Sequence, residues 1–209
     1  MKIAILSDIK SNVYALEAVL SDIKTKQIDV MLNLGDSFYG PIEPKATYDL
    51  LRQNQFINLL GDEDRKILES SLAQLEENDT LRYTYNNLGD DVLYWIQELP
   101  FEKLIGADYY MIHGTYLDDT AYMLEDITSG KAIIRDHKKI LEIIDDITST
   151  FVMCGNSCLP RCVSLSSGQI VINPGSVGLQ AFKTDTPSFH IIENNTPDGS
   201  YVILNVEAN

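Results

Sequence analysis

Cysteine, basic charge and long apolar runs are all scarce in this chain. Three cysteines, Cys154, Cys158 and Cys162, are too few and too odd in number for a disulfide framework, which points to a reducing, cytoplasmic setting. Their spacing offers a soft metal three thiolates but no fourth ligand, so they read as small residues in or beside a strand. Lysine and arginine total 16 against 31 acidic residues, a formal net charge of −15. Affinity for a nucleic-acid backbone comes from cations that neutralise phosphates, so general nucleic-acid binding is excluded. An anionic small substrate would need a local cation to offset the field. No apolar run approaches the roughly 20 residues of a membrane span. Met1-Lys2 precedes only a short apolar run with no cleavage-site pattern, which argues against a signal peptide and for a chain without membrane partners.

The sequence does carry enough apolar material for a substantial core. Of 209 residues, 44% are hydrophobic and 22% charged, and there is no internal repeat or low-complexity linker. One domain over 1–209 is the expectation, with a helical insert at about 65–98. Residues 2–7 read as a buried strand, 13–26 as a helix capped by Ser11 or Asn12, and Val30 to Leu34 as a second strand. Pro44 opens a helix ending near Gln53, and Phe56 to Leu60 is a third strand. A hairpin is predicted around Gly106-Ala107-Asp108, and an amphipathic helix over Ile133 to Ile147, with His137 a core or boundary residue on its apolar face. Strands follow at 150–154, 162–165, 169–172, 188–193 and 200–206, with His190 inside one of them. Alternating β and α units followed by a run of strands fit two packed sheets with helices outside.

Apolar runs repeatedly end in an acid or a histidine: Asp8, Gly35-Asp36, Gly61-Asp62-Glu63-Asp64 and His113-Gly114. Loops at the carboxyl ends of neighbouring strands converge on one crevice. That many carboxylates cannot all stay ionised together without a divalent ion, Lys10 or Arg65 to balance them. The bland reading is that Asp36 and Asp64 cap helices or turns. Recurrence after successive strands favours a site.

In this order the motifs resemble the calcineurin-like metallophosphoesterases, in their small bacterial and archaeal branch. The family signature runs Asp-x-His, Gly-Asp, Gly-Asn-His-Asp, His-Gly and Gly-His-x-His, followed by Asn-Pro-Gly-Ser-Val-Gly. Here the corresponding stretches are Asp8-Ile9-Lys10, Gly35-Asp36, Gly61-Asp62-Glu63-Asp64, His113-Gly114, Gly155-Asn156-Ser157-Cys158 and an intact Asn173 to Gly178. The resemblance implies an α/β fold, a four-layer α-β-β-α sandwich of two mixed sheets. It also implies two metals about 3.5 Å apart that share Asp36. Asp8 and the positions of Lys10 and Cys158 would complete one centre; His113 and the positions of Asp62 and Asn156 would complete the other.

Lys10 departs most sharply from the family pattern. A protonated lysine cannot ligate, and its ammonium would sit where the first metal's charge belongs, in a salt bridge with Asp8 and Asp36. One divalent metal (Mn, Fe, Zn or Mg) on Asp36, Asp62, His113 and Asn156 is then one reading, and no metal at all is its rival; a two-metal centre is not expected. Asp64 and Cys158 are further candidates for metal ligation or lining. In the first reading the chain is a weak hydrolase of phosphate mono- or diesters, taking a small phosphate ester or nucleotide-like ligand. Asp8 and Lys10 would anchor a water or phosphate oxygen, and Glu63 would protonate the leaving group. The alternative is a catalytically inactive member that retains the fold for ligand binding or protein interaction. The substrate and the oligomeric state are unreadable at this level.

Overall fold

A computed structural model describes residues 1–206. In chain order the first half holds β1 (Lys2–Leu6), α1 (Val13–Ile23), β2 (Val30–Asn33), α2 (Pro44–Gln53) and β3 (Ile57–Asn58). Four helices follow: α3 (Asp62–Glu69), α4 (Leu72–Glu77), α5 (Asp79–Leu88) and α6 (Asp90–Gln97). Then come β4 (Glu102–Ile105), β5 (Tyr109–Ile112), β6 (Glu125–Asp126), β7 (Ile133–Ile134), α7 (His137–Ile143) and β8 (Phe151–Met153). The chain closes with β9 (Pro160–Ser164), β10 (Ile170–Pro174), β11 (Ala181–Thr184), β12 (His190–Glu193) and β13 (Val202–Asn205).

Two mixed sheets form the centre, in the orders β13-β1-β2-β3 and β4-β5-β8-β10-β9. Strands β1, β2 and β3 are mutually parallel, as are β5, β8 and β10, and the flanking strands run antiparallel. The period-two alternation of β1 explains the layering. Ile3 and Ile5 join Leu32, Leu34, Met111, Met153 and Ile172 between the sheets. Ala4 and Leu6, on the other face, pack with Leu16, Leu20, Leu51, Ile67, Leu81 and Ile96 of the outer helices. A third cluster packs Val152, Val163 and Val171 against Ile140 and Ile144. Three apolar interfaces separate four layers, the α-β-β-α sandwich expected from the resemblance. A strand covered on both faces reads as a continuous apolar run, as Ile3 to Leu6 does. Among the described residues, no helix is long and apolar enough to cross a membrane.

Local chemistry sets the element ends. The Asn12 side chain accepts from Ala15 N at 3.1 Å and starts α1, and Pro44 opens α2, which ends at Gln53. The polar stretch after Asp62 breaks into short helices because Ser71 forms a capping box with Gln74, Asn78 caps α5 and Gly89 precedes α6. The helix expected over Ile133 to Ile147 is a correction. Ile133 and Ile134 pair with Glu125 and Asp126 as a two-stranded ribbon, and Asp136 restarts the chain as a helix by accepting from Lys138 N at 2.9 Å. His137, expected at the core or its boundary on the longer helix, is exposed in the first turn of α7. His190 is buried as expected, with Tyr122 Oη 2.9 Å from its Nε2.

Candidate functional site

The parallel strands deliver the motifs to one rim. Asp8 follows β1, Asp36 follows β2 and Asp62 opens α3 after β3, while His113 follows β5 and Asn156 follows β8. The loops after β1 and β2 are laced together: Asp8 N donates to Gly35 O, Lys10 N to Asp36 O and Ser11 N to Ser37 O, at 2.9 to 3.0 Å. Asp8, Lys10, Ser11, Asp36, Asn156 and Cys158 all take positive φ, between 52° and 67°. Such conformations cost roughly 1–3 kcal/mol each for non-glycine residues and persist where the surroundings over-determine them. Here the over-determination comes from the Asn173 to Gly178 turn. Val177 N donates to Ser7 O, while Gly178 N and Ser176 Oγ both donate to Asp8 O, so these groups hold the Asp8 loop from below. Asn173 Nδ2 secures the other wall through Gly155 O at 2.7 Å. Gly155 is required at that point, because a Cβ there would lie 2.1 Å from Ser7 Oγ.

Lys10 Nζ stands among three carboxylates. It donates to Asp36 Oδ2 and to Glu63 Oε2 (2.6 Å), and lies 3.3 Å from Asp8 Oδ1. Burial disfavours the ammonium, but Asp36, Glu63 and Asp8 together carry its pKa well above an ordinary lysine. Asp36 faces two ways. Its Oδ2 takes the ammonium, while its Oδ1 accepts from Glu63 N at 2.9 Å and lies 3.5 Å from His113 Nε2. Burial pushes the Asp36 carboxyl up, yet Lys10 and His113 hold it well below the usual carboxylate range.

His113 is fully buried, and its Nδ1–H donates to Leu34 O at 2.8 Å. That bond orients the ring and leaves Nε2 facing Asp62 Oδ1 at 3.2 Å and Asp36 Oδ1 at 3.5 Å, without a hydrogen-bond partner. A lone pair held against two carboxylates calls for a proton or a cation between them. Burial lowers the imidazole pKa, but Asp36 and Asp62 raise it well above the ordinary value. Asp8, Asp36 and His113 each offer a ligand atom within 4.8 Å of the others, but Asp8 Oδ1, buried and without a hydrogen bond, is answered by the Lys10 ammonium 3.3 Å away. The Asp36 carboxylate and the unpartnered His113 Nε2 fit a divalent ion.

The remaining carboxylates sit in the first turn of α3, where helix N–H groups favour negative charge. Burial and the Asp36 charge push Glu63 up to about 7, against the pull of Lys10. Asp64 is also pushed up to about 7 by burial and Asp36, although it accepts from Ser37 N (3.0 Å) and Phe38 N (2.9 Å). Those bonds tie the β2 loop to α3. Asp62 is raised by burial and Asp36.

Asn156 donates its Nδ2 to Asp119 O at 2.9 Å, which leaves its carbonyl oxygen free at the cavity wall. Cys158 is buried, and burial followed by the Asp8 charge raises its thiol well above the ordinary value, so the neutral thiol is favoured. Arg65 and Arg161 are both spent elsewhere. Arg65 grips Asp119 with two bonds of 2.7 and 2.8 Å and also takes Glu69, and Arg161 Nε reaches Glu125 Oε1 at 3.4 Å.

A cavity of about 680 Å³ opens over this cluster, with Lys10, Asp36, Asp62, Glu63 and Asn156 in its wall. Its other side carries residues that the sequence analysis did not single out, among them Tyr122, Glu125, Arg135, Phe182 and Lys183. One signal for them existed: Glu125 follows the apolar pair Met123-Leu124, as the recognised acids follow their strands.

A family model for the calcineurin-like phosphoesterase superfamily domain matches residues 1–196. An uncharacterized protein of Methanocaldococcus jannaschii is 26% identical over 202 residues, spanning 84% of this chain and 76% of the relative. The crystal structure of a hypothetical protein from Pyrococcus horikoshii OT3 covers all of this chain and 88% of its own, at a TM-score of 0.74 and 16% identity. That of a metallophosphoesterase from Sphaerobacter thermophilus covers 93% of this chain and 89% of its own, at 0.68 and 21% identity. At these identities the two structures speak to the fold. With strand-end acids converging on a buried histidine, and with a family match over nearly the whole chain, the protein belongs to the calcineurin-like phosphoesterase superfamily.

Proposed function

We propose that the chain is a phosphoesterase that works with a single divalent ion, the Lys10 ammonium standing in for another. The observation that carries this reading is the divided allegiance of Asp36. One carboxylate oxygen is taken by Lys10 and the other faces His113 Nε2, which lacks a hydrogen-bond partner. Asp36, Asp62, His113 and the free carbonyl of Asn156 would hold the ion. Such an ion would supply Lewis-acid polarisation of a phosphoryl oxygen.

The chain's own groups supply the rest. Glu63, near 7, exchanges a proton at neutral pH and serves as the acid for the leaving oxygen. When Glu63 is protonated, the Lys10 N–H that it had accepted is released for a phosphate oxygen. Asp8 keeps that ammonium over the cavity. Losing one cation of a pair removes one clamp on the transition-state charge, so turnover is slow. The substrate in this reading is a phosphate mono- or diester.

The test is phosphate release from chromogenic mono- and diesters with added Mn²⁺, alongside Asp36→Ala. A Mn²⁺-dependent rate that Asp36→Ala abolishes supports the reading. A protein that binds no metal and releases nothing above background ends it and leaves a binding role for the fold.

A further inference from the structure

We infer that Glu125 reads a free hydroxyl on the alcohol half of the ester, so that the substrate is the phosphate of a polyhydroxylated alcohol; this rests on the phosphoesterase reading above. The cavity of about 680 Å³ is large for a phosphate alone. Pockets of roughly 300–1,000 Å³ hold whole organic ligands. Glu125 and Arg135 line it together with Lys10, Asp36, Asp62 and Glu63.

Both residues are fixed and both are incompletely bonded. Pairing of Glu125 with Ile134 sets the backbone, and the side chain is fully buried. Arg161 Nε reaches Oε1 at 3.4 Å and the Ser157 hydroxyl lies close to the carboxylate, but Oε2 has no hydrogen-bond partner. Arg135 Nη2 donates to Tyr122 O and Glu125 O at 3.0 and 2.6 Å, which locks the guanidinium, yet its Nε is buried without a partner. Leaving a buried polar group without a partner forfeits its hydration, so two in one cavity wall call for an explanation.

The two orphans are of opposite kind. Glu125 needs a donor and Arg135 needs an acceptor. A hydroxyl is both. A carboxylate or second phosphate seated against these two atoms would face the Glu125 charge, and an ammonium there would face Arg135; Lys66 and Lys183, besides Lys10, are the other cations of the wall. A neutral alcohol bearing hydroxyls meets neither objection. Tyr122 and Phe182, in the same wall, give apolar surface for the carbon skeleton.

The experiment compares glycerol 3-phosphate with n-propyl phosphate on the wild-type protein with Mn²⁺. The two esters share phosphate and carbon count and differ only in hydroxyls. The expected kcat/KM ratio is about 100-fold or more in favour of glycerol 3-phosphate, because a site built for a hydroxyl is left unpaired by the analogue without it. Glu125→Gln and Glu125→Leu should shrink that ratio toward one; if neither variant folds, the wild-type comparison decides. If neither ester is cleaved, the chromogenic assay decides the phosphoesterase reading, and calorimetric binding of the same two esters decides the hydroxyl preference: at least about 10-fold tighter binding of glycerol 3-phosphate upholds it. Equal kcat/KM values, equal affinities or binding of neither ester overturns it.

Discussion

Replacing Lys10 by methionine removes the ammonium while keeping most of the stem that fills the rim. At 3.3 Å, the Lys10–Asp8 attraction alone is about 5 kcal/mol at an effective dielectric of about 20, and Asp36 and Glu63 add to it. Desolvation offsets much of that. Lys10 is 11% exposed and Asp8 and Asp36 are buried, so deleting the cation leaves carboxylates uncompensated, a change that costs about 3–5 kcal/mol. The assay is urea unfolding of wild type and Lys10→Met at pH 7 with a chelator, then with Mn²⁺. The variant should lose about 3–5 kcal/mol without metal. It should recover about 2.7 kcal/mol with Mn²⁺ at 100 times its dissociation constant. The gap should also narrow at pH 5, where the abandoned carboxylates take up protons. A metal-free variant within about 0.5 kcal/mol of wild type would refute the argument, because a surface-like substitution would then explain it.

Removing the metal exposes the pH behaviour of the acids. Glu63 and Asp64, near 7 when folded, hold protons that the unfolded chain releases near about 4, so metal-free stability should fall as pH rises from about 4 through 7. Asp36 works oppositely: its contribution is present above about 3.9 and is lost as pH falls through its lower folded value, so melting should be highest on the acid side, at about pH 4. Asp64→Asn should flatten the slope, and a melting temperature that climbs steadily from pH 5 to 8 would count against these assignments. Arg65→Ala should leave the fold intact but free Asp119, whose carbonyl orients Asn156, and weaken Mn²⁺ affinity about 10–100-fold by titration. Gly155→Ala should destabilise the protein, seen as a lower urea midpoint, because its Cβ would overlap Ser7 Oγ.

Much of this architecture could be read from the chain because its signals are local. The continuous apolar run of β1, the proline at the start of α2 and the glycine of the β4–β5 turn each act within a few residues. The acids after β1, β2 and β3 could be read for the same reason. The failures share a cause of longer range. Ile133, His137 and Ile140 keep a helical spacing, but the first belongs to a ribbon stabilised by Glu125 and Asp126, and only Asp136 marks the break. The far wall of the cavity is built by residues 118–135 and 179–187, short pieces with no periodic pattern, and β11 is defined by its pairing with β12 rather than by any local pattern. Nothing local marks the partners of Arg65 and Arg161, because Asp119 and Glu125 are 54 and 36 residues away.

Counting metal is the most direct measurement. After loading with excess Mn²⁺ and removal of the free ion, elemental analysis per chain should give close to one manganese for wild type and close to two for Lys10→His, which restores the imidazole of the family pattern. Two manganese ions bound to the wild-type chain, with Lys10 intact, would contradict the account.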